Sequence, residues 1–136
     1  MSWTDAETIA RILRETRVIA VVGLSAKRFR PSYGVSEYMQ RAGYRIIPVN
    51  PRDGVILGEK VYPTLEAIPE PVDLVNVFRR PEYVPAVVES AIRIGARALW
   101  LQEEVIHEEA AARAEEAGLA VVMDRCLLKE HRRLGL

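Results

Sequence analysis

The sequence predicts an α/β domain in which a mostly parallel sheet is covered by helices on both faces. Three observations lead there. Short apolar runs alternate with segments of helical period along the whole chain, the pattern of repeated strand–helix–strand units. The runs, such as 18–22 and 98–101, are continuously apolar, as strands buried on both faces are. Gly43, Gly95 and Gly118 then close three of the helical segments, where a left-handed residue ends a helix. With 136 residues the chain is expected to be one domain, 1–136, able to bury roughly two-thirds of the surface its unfolded form exposes.

Each element has its own signal. Thr4-Asp5-Ala6-Glu7 has capping-box spacing, and Ile9, Ile12 and Leu13 recur on one face, so 5–16 is predicted to be an amphipathic helix. Residues 18–22 form the first strand, which stops at Gly23, where the backbone can turn sharply. A helix opens near Ser32, faces inward through Val35, Tyr38, Met39 and Ala42, and ends at Gly43. The second strand is 44–49, stopped by Pro48-Val-Asn-Pro51. The glycine-flanked run 55–57 reads as a short third strand, and 62–70 as a single helical turn at most. Residues 72–78 are the next buried strand. Pro81 suits the opening of a helix whose apolar positions are Val84, Val87, Val88, Ala91 and Ile92. A strand at 98–101, an alanine-rich helix at 106–117, a last strand at 119–123 and a terminal helix at 127–134 complete the chain. Together with the glycine turn after the first strand, this is a single Rossmann-like domain.

Composition narrows the function classes. The 19 basic and 19 acidic residues cancel, which removes the broad field expected of a protein that coats nucleic acid or anionic membrane. The lone Cys126 excludes an internal disulfide and a multi-cysteine zinc site. No run approaches the ~20 apolar residues of a membrane span, and the N-terminal stretch with Asp5 and Glu7 lacks signal-peptide character. A cytoplasmic protein without nucleic-acid or membrane partners is expected, and apolar helices on a small domain suit a homodimer.

In an open α/β sheet, ligands bind beyond the carboxyl ends of the strands. Gly23, Ser25, Asn50, Phe78, Arg79, Arg80, Gln102 and Asp124 end or follow strands and can converge there, whereas Asp73 and Arg97 begin theirs. The loop after Gly23 offers Ser25, Lys27, Arg28 and Arg30 beside the positive end of a helix, a place where phosphate is stabilised. Arg28 is the foremost of these cations, and Ser32 and Tyr33 join the set where the helix opens. Ser25 stands where a dinucleotide fingerprint places its second glycine, so the loop alone is weak evidence. At the end of the second strand, where NAD-binding domains carry an acid, stands Asn50, followed by Pro51 and Arg52. A neutral amide and a cation suit a ribose bearing phosphate, which both NADP and coenzyme A have; the rival reading is a plain strand-ending turn. One of Arg79 and Arg80 is given a ligand role, against a surface pair that contacts nothing.

The remaining residues offer little chemistry. Trp100 reads as core, and Gln102 as a donor to a ligand. His107 among Glu103, Glu104, Glu108 and Glu109 reads as the acidic start of a helix, not a metal site. Cys126 reads as a packed small residue. With only His107 and His131 the acid/base inventory is thin, and no catalytic residue is assigned.

Val21-Val-Gly-Leu-Ser25, Arg30-Pro-Ser-Tyr33, Gly43-Tyr44, Ile47-Pro-Val-Asn-Pro51, Leu57-Gly-Glu59, Asp73-Leu-Val75, Val77-Phe-Arg-Arg-Pro81, Ala98-Leu-Trp-Leu-Gln102 and Asp124-Arg-Cys126 together resemble the small stand-alone CoA-binding domain proteins. These are similar to the N-terminal CoA-binding domain of the succinyl-CoA synthetase α subunit. The resemblance implies a Rossmann-like fold whose glycine loop holds the phosphates of coenzyme A, with Gly23, Ser25, Arg28, Asn50, Pro51, Phe78, Arg79 and Gln102 at matching positions. It places adenine near the Asn50-Pro51 turn and the strand carrying Phe78. The chain departs from the family after Gln102, where Glu103, Glu104 and His107 replace a glycine-containing turn and an asparagine. The expected function is binding of coenzyme A or an acyl-CoA without catalysis by the isolated chain. The alternatives are an NADP-dependent oxidoreductase and a non-catalytic component of an acyl-CoA ligase-type complex.

Overall fold

Five of the apolar runs line up as one parallel sheet in the computed structural model, which describes residues 3–52 and 54–136. In chain order the elements are α1 (Ala6–Glu15), β1 (Val18–Val22), α2 (Pro31–Arg41), β2 (Arg45–Val49), β3 (Val55–Ile56), β4 (Glu59–Lys60), β5 (Leu74–Val77), α3 (Val84–Arg93), β6 (Ala98–Leu101), α4 (Glu108–Glu116), β7 (Ala120–Val122) and α5 (Leu127–Leu134). The sheet runs β2-β1-β5-β6-β7, every pair parallel. The winding direction reverses between β1 and β5, so these two adjacent strands form the topological switch point.

Strand pleating divides the core into two layers. Ile19, Val21, Leu74 and Trp100 pack on one face with α1, α2 and α5. Ala20, Val22, Val75, Val77, Leu99 and Leu101 pack on the other with α3 and α4. Successive strand residues point to opposite faces, so a strand covered on both sides must be apolar at nearly every position. Asn76 is the exception, 1% exposed in the middle of β5.

Several sequence expectations are adjusted. The cap of α1 is Asp5, whose carboxylate accepts from the Thr8 amide at 3.0 Å and the Thr8 hydroxyl at 2.8 Å; aspartate caps a helix better than the threonine of the apparent capping box. Ala42 is exposed at the end of α2, and Ser32 and Ser36 take the inward positions instead. The short third strand lies outside the main sheet: β3 pairs antiparallel with β4 through Leu57 and Gly58, which have φ of 55° and 76°, as a tight hairpin turn requires. Pro81 opens a 3₁₀ turn at Pro81–Tyr83, and α3 begins only at Val84. His107 starts α4, its Nδ1 accepting from the Ala110 amide at 3.1 Å. Among the described residues, no helix is long and apolar enough to cross a membrane.

At the amino edge of the sheet, Asp73 Oδ2 accepts from the amides of Arg17 and Val18 at 3.0 and 2.9 Å. The residue just before β5 thus ties down the start of β1. His131 plugs the face of α5 against α2. It is 4% exposed, its Nδ1 lies 2.9 Å from the Tyr38 hydroxyl, and its ring stands edge-on to Tyr38 and Tyr44. Burial pushes its pKa below the ordinary 6.5, so the folded state resists its protonation. The corresponding stability is present above pH 6.5 and is lost as pH falls through the depressed folded value. Urea unfolding should therefore show a lower midpoint at about pH 5 than at about pH 7.5, and a His131→Phe variant should lose less over that interval.

Candidate functional site

The switch point opens into a cleft of about 640 Å³ at the carboxyl ends of β1, β2 and β5. Its floor is main chain. Gly23 adopts φ 88°, and a Cβ there would overlap the Phe78 carbonyl oxygen and press on Arg79 Cδ at 3.0 Å. Only glycine lets the turn after β1 lie this close to the turn after β5. The Gly23 amide meanwhile donates to the Val49 carbonyl at 2.9 Å, so the ends of β1, β2 and β5 meet at one residue.

Asn50 fixes the second wall. Its Nδ2 donates to the Leu24 carbonyl at 2.7 Å and its Oδ1 accepts from the Arg52 amide at 2.7 Å. The amide that sequence reasoning aims at a ribose is thus engaged at both ends, stapling the β1 loop to the β2 turn. It lines the cleft as a positioning residue. The Asn50 amide donates to Tyr62 O at 3.1 Å, and Tyr62 bridges to Val49, which folds the β3–β4 hairpin back over the cleft so that Val55 and Ile56 line it.

The third wall is the opening of α2. Ser32 Oγ accepts from the Ser25 amide at 3.0 Å, and Ser25 Oγ accepts from the Lys27 amide at 3.1 Å. Each hydroxyl oxygen is held in place by what it accepts, while its own O–H has no acceptor among the described residues. The amides of Ala26 and Ser32 have no acceptor among the described residues. Lys27, Arg30 and Arg52 line the same cleft, and no carboxylate lines it among the described residues. Main-chain donors, two hydroxyls, three cations and the positive end of the α2 dipole thus face one space, groups that each favour negative charge.

The structure gathers Gly23, Ser25, Ser32, Asn50, Pro51 and Phe78 in this cleft. Gln102 lies in an adjoining cavity that shares Phe78 and Pro31 with it. Arg28 is exposed outside the lining, where Lys27 and Arg30 take the place expected of it. Tyr33 packs its ring into the core layer of α1, α2 and α5. Arg79 crosses the mouth at Gly23 but stacks its guanidinium on the Tyr83 ring, 4.3 Å from the centroid. Arg80 is exposed and leads into the 3₁₀ turn. Leu24, Pro31, Val55 and Ile56 line the cleft without having been marked by sequence. For Val55, 67% exposed, the one available signal was an apolar residue left between glycines.

A separate hollow of about 450 Å³ at the opposite sheet edge includes Asp73 and Arg97. The Asp73 carboxylate there is already engaged by the main chain at the start of β1. Among the described residues, no three His, Cys, Asp or Glu side chains are grouped to hold a metal ion.

Comparison with known proteins is consistent along the chain. A family model described as a CoA binding domain matches residues 17–132. The Bacillus subtilis (strain 168) protein YneT is 45% identical over 123 residues, spanning 90% of this chain and 91% of that one. A solved protein from Pyrococcus horikoshii OT3 superposes with a TM-score of 0.93 at 39% identity, covering 97% of this chain and 93% of its own. An ADP-forming acetate–CoA ligase II of Archaeoglobus fulgidus is 28% identical over 99 residues, 71% of this chain but 15% of the ligase.

Because the cleft depends on a glycine that no side chain can replace, Gly23→Ala should lower stability by about 1–3 kcal/mol in chemical denaturation. Arg80→Ala, on the exposed side of the same region, should leave the midpoint unchanged within about 0.5 kcal/mol.

Proposed function

This chain belongs to the CoA binding domain family, and from that premise we propose that it binds coenzyme A or an acyl-CoA in the cleft at the switch point, as a binding module without catalysis by the isolated chain. The observation that carries the reading is the convergence of Lys27, Arg30 and Arg52 with the hydroxyls of Ser25 and Ser32 and the amides of Ala26 and Ser32, which have no acceptor among the described residues. The phosphorylated adenosine half of the ligand occupies this cleft, its phosphates on the glycine turn and the opening of α2. Val55, Ile56 and the Asn50-Pro51 turn supply the apolar and main-chain surface for the base.

Two further facts support a non-catalytic role. His107 is committed to capping α4 and His131 is buried against Tyr38, so neither stands at the cleft as a proton carrier. The likeness to one part of an ADP-forming acetate–CoA ligase favours, as a second reading, a component that presents the cofactor to a partner chain.

Isothermal titration with coenzyme A, adenosine 3′,5′-bisphosphate and NADP tests the proposal. Coenzyme A and the bisphosphate are expected to bind, and Lys27→Ala or Arg30→Ala should each weaken both by about tenfold, the worth of one charge-assisted contact. Raising the salt should weaken binding further, because the cations are exposed. Absence of heat with coenzyme A at high micromolar concentration overturns it, and binding of NADP alone favours the oxidoreductase reading instead.

A further inference from the structure

Beside the cationic cleft lies a second cavity of about 640 Å³, at the carboxyl ends of β6 and β7. Pro31 and Phe78 line both, so one elongated molecule can pass from the first to the second across these two side chains. The charge reverses on the way. The second cavity is lined by Glu103, Glu104 and Asp124 against a single cation, Arg125.

The local bonds show how much of that negative charge is left. Glu103 is paired with Lys129 at 3.0 Å. Asp124 accepts from the Glu104 amide at 2.7 Å through one oxygen, which orders the carboxylate without neutralising it. Among the described residues, no cation pairs with the Glu104 carboxylate. Arg125 turns one guanidinium nitrogen back onto the Asp124 carbonyl at 2.7 Å.

A buried amide marks the cavity as a place for a ligand independently of these acids. Gln102 is 4% exposed, lines the cavity, and donates through Nε2 to Asn76 Oδ1 at 2.8 Å. That bond fixes the amide plane and leaves Oε1 as an acceptor with no protein donor among the described residues. Val35, Val105 and Cys126 supply apolar wall around it. A fixed acceptor, apolar surface and one carboxylate in excess of the cations Lys129 and Arg125 suit an uncharged arm carrying N–H or S–H donors, and oppose an anionic tip.

We propose that this second cavity receives the thiol arm of the bound cofactor and selects its cargo, admitting the free thiol or an uncharged acyl group and disfavouring an acyl group that ends in a carboxylate. The selectivity rests on the coenzyme A reading and adds to it. At an effective dielectric of about 40, a ligand carboxylate about 6 Å from one uncompensated carboxylate loses about tenfold in affinity.

The test is titration with butyryl-CoA and succinyl-CoA, equal in carbon count and different at the tip, alongside coenzyme A. Butyryl-CoA should bind within about threefold of coenzyme A, and succinyl-CoA about tenfold more weakly. In a Glu104→Gln, Asp124→Asn double variant the gap should close, since asparagine keeps the acceptor for the Glu104 amide and tolerates the φ of 61° at that position. Equal binding of the two acyl-CoAs by the unaltered protein, with coenzyme A still bound, overturns the selectivity alone. Failure of all three to bind overturns the coenzyme A reading and this inference together.

Discussion

The approach of Gly23 to the Phe78 carbonyl is the contact on which the rest of the site depends. In a parallel sheet wound in both directions, the strands on either side of the reversal send their following segments to opposite faces, leaving a gap above their carboxyl ends. Here β1 and β5 flank that gap, and a residue without Cβ lets their turns meet main chain to main chain. A floor of this kind cannot repack as side chains do. It holds the opening of α2, the turn after β2 and the hairpin over it at a fixed separation.

Polar side chains at the two edges of the sheet perform related tasks. At the amino edge Asp73 gathers the start of β1, and at the carboxyl edge Asn50 ties the β1 loop to its own turn. Both replace hydrogen bonds that the ends of strands leave unmade, and buried or half-buried main-chain groups require such partners. The consequence for function is a division of labour. Asn50 and Gly23 shape the cleft, while Lys27, Arg30, Arg52 and the two serine hydroxyls offer it chemistry.

Charge is partitioned along the sheet edge in the same economical way. Among the described residues, a chain with no net charge places Lys27, Arg30 and Arg52 in one cavity of the rim and Glu103, Glu104 and Asp124, with Arg125, in the other. On the coenzyme A proposal, attraction and repulsion would act on different ends of one elongated ligand. The Gln102–Asn76 pair lies behind the second compartment, where a polar position in an otherwise apolar strand is explained by the amide it aligns.

The sequence by itself determined the α/β class, the number of principal strands, the glycine turn and the rim at which polar residues gather, because pleating and helical period are local properties written in successive residues. The pattern of 18–22 and 98–101 needs no knowledge of the rest of the chain. Some residues of the candidate cleft were legible in this way: Ser25, Ser32, Pro51 and Phe78 follow strands or open a helix, and they line it. What only the tertiary structure decided was which neighbour each polar side chain finds. Arg28 and Lys27 are adjacent in sequence, yet a loop's turn directs one outward and the other into the cleft. Asn50 reads in sequence as a ligand group, and only the structure shows Leu24 O and Arg52 N holding its amide in place. Run 55–57 reads as a sheet strand until its hairpin is seen to fold over the cleft instead. Hydrogen-bond partners separated by tens of residues are set by how layers pack, and no local period encodes that.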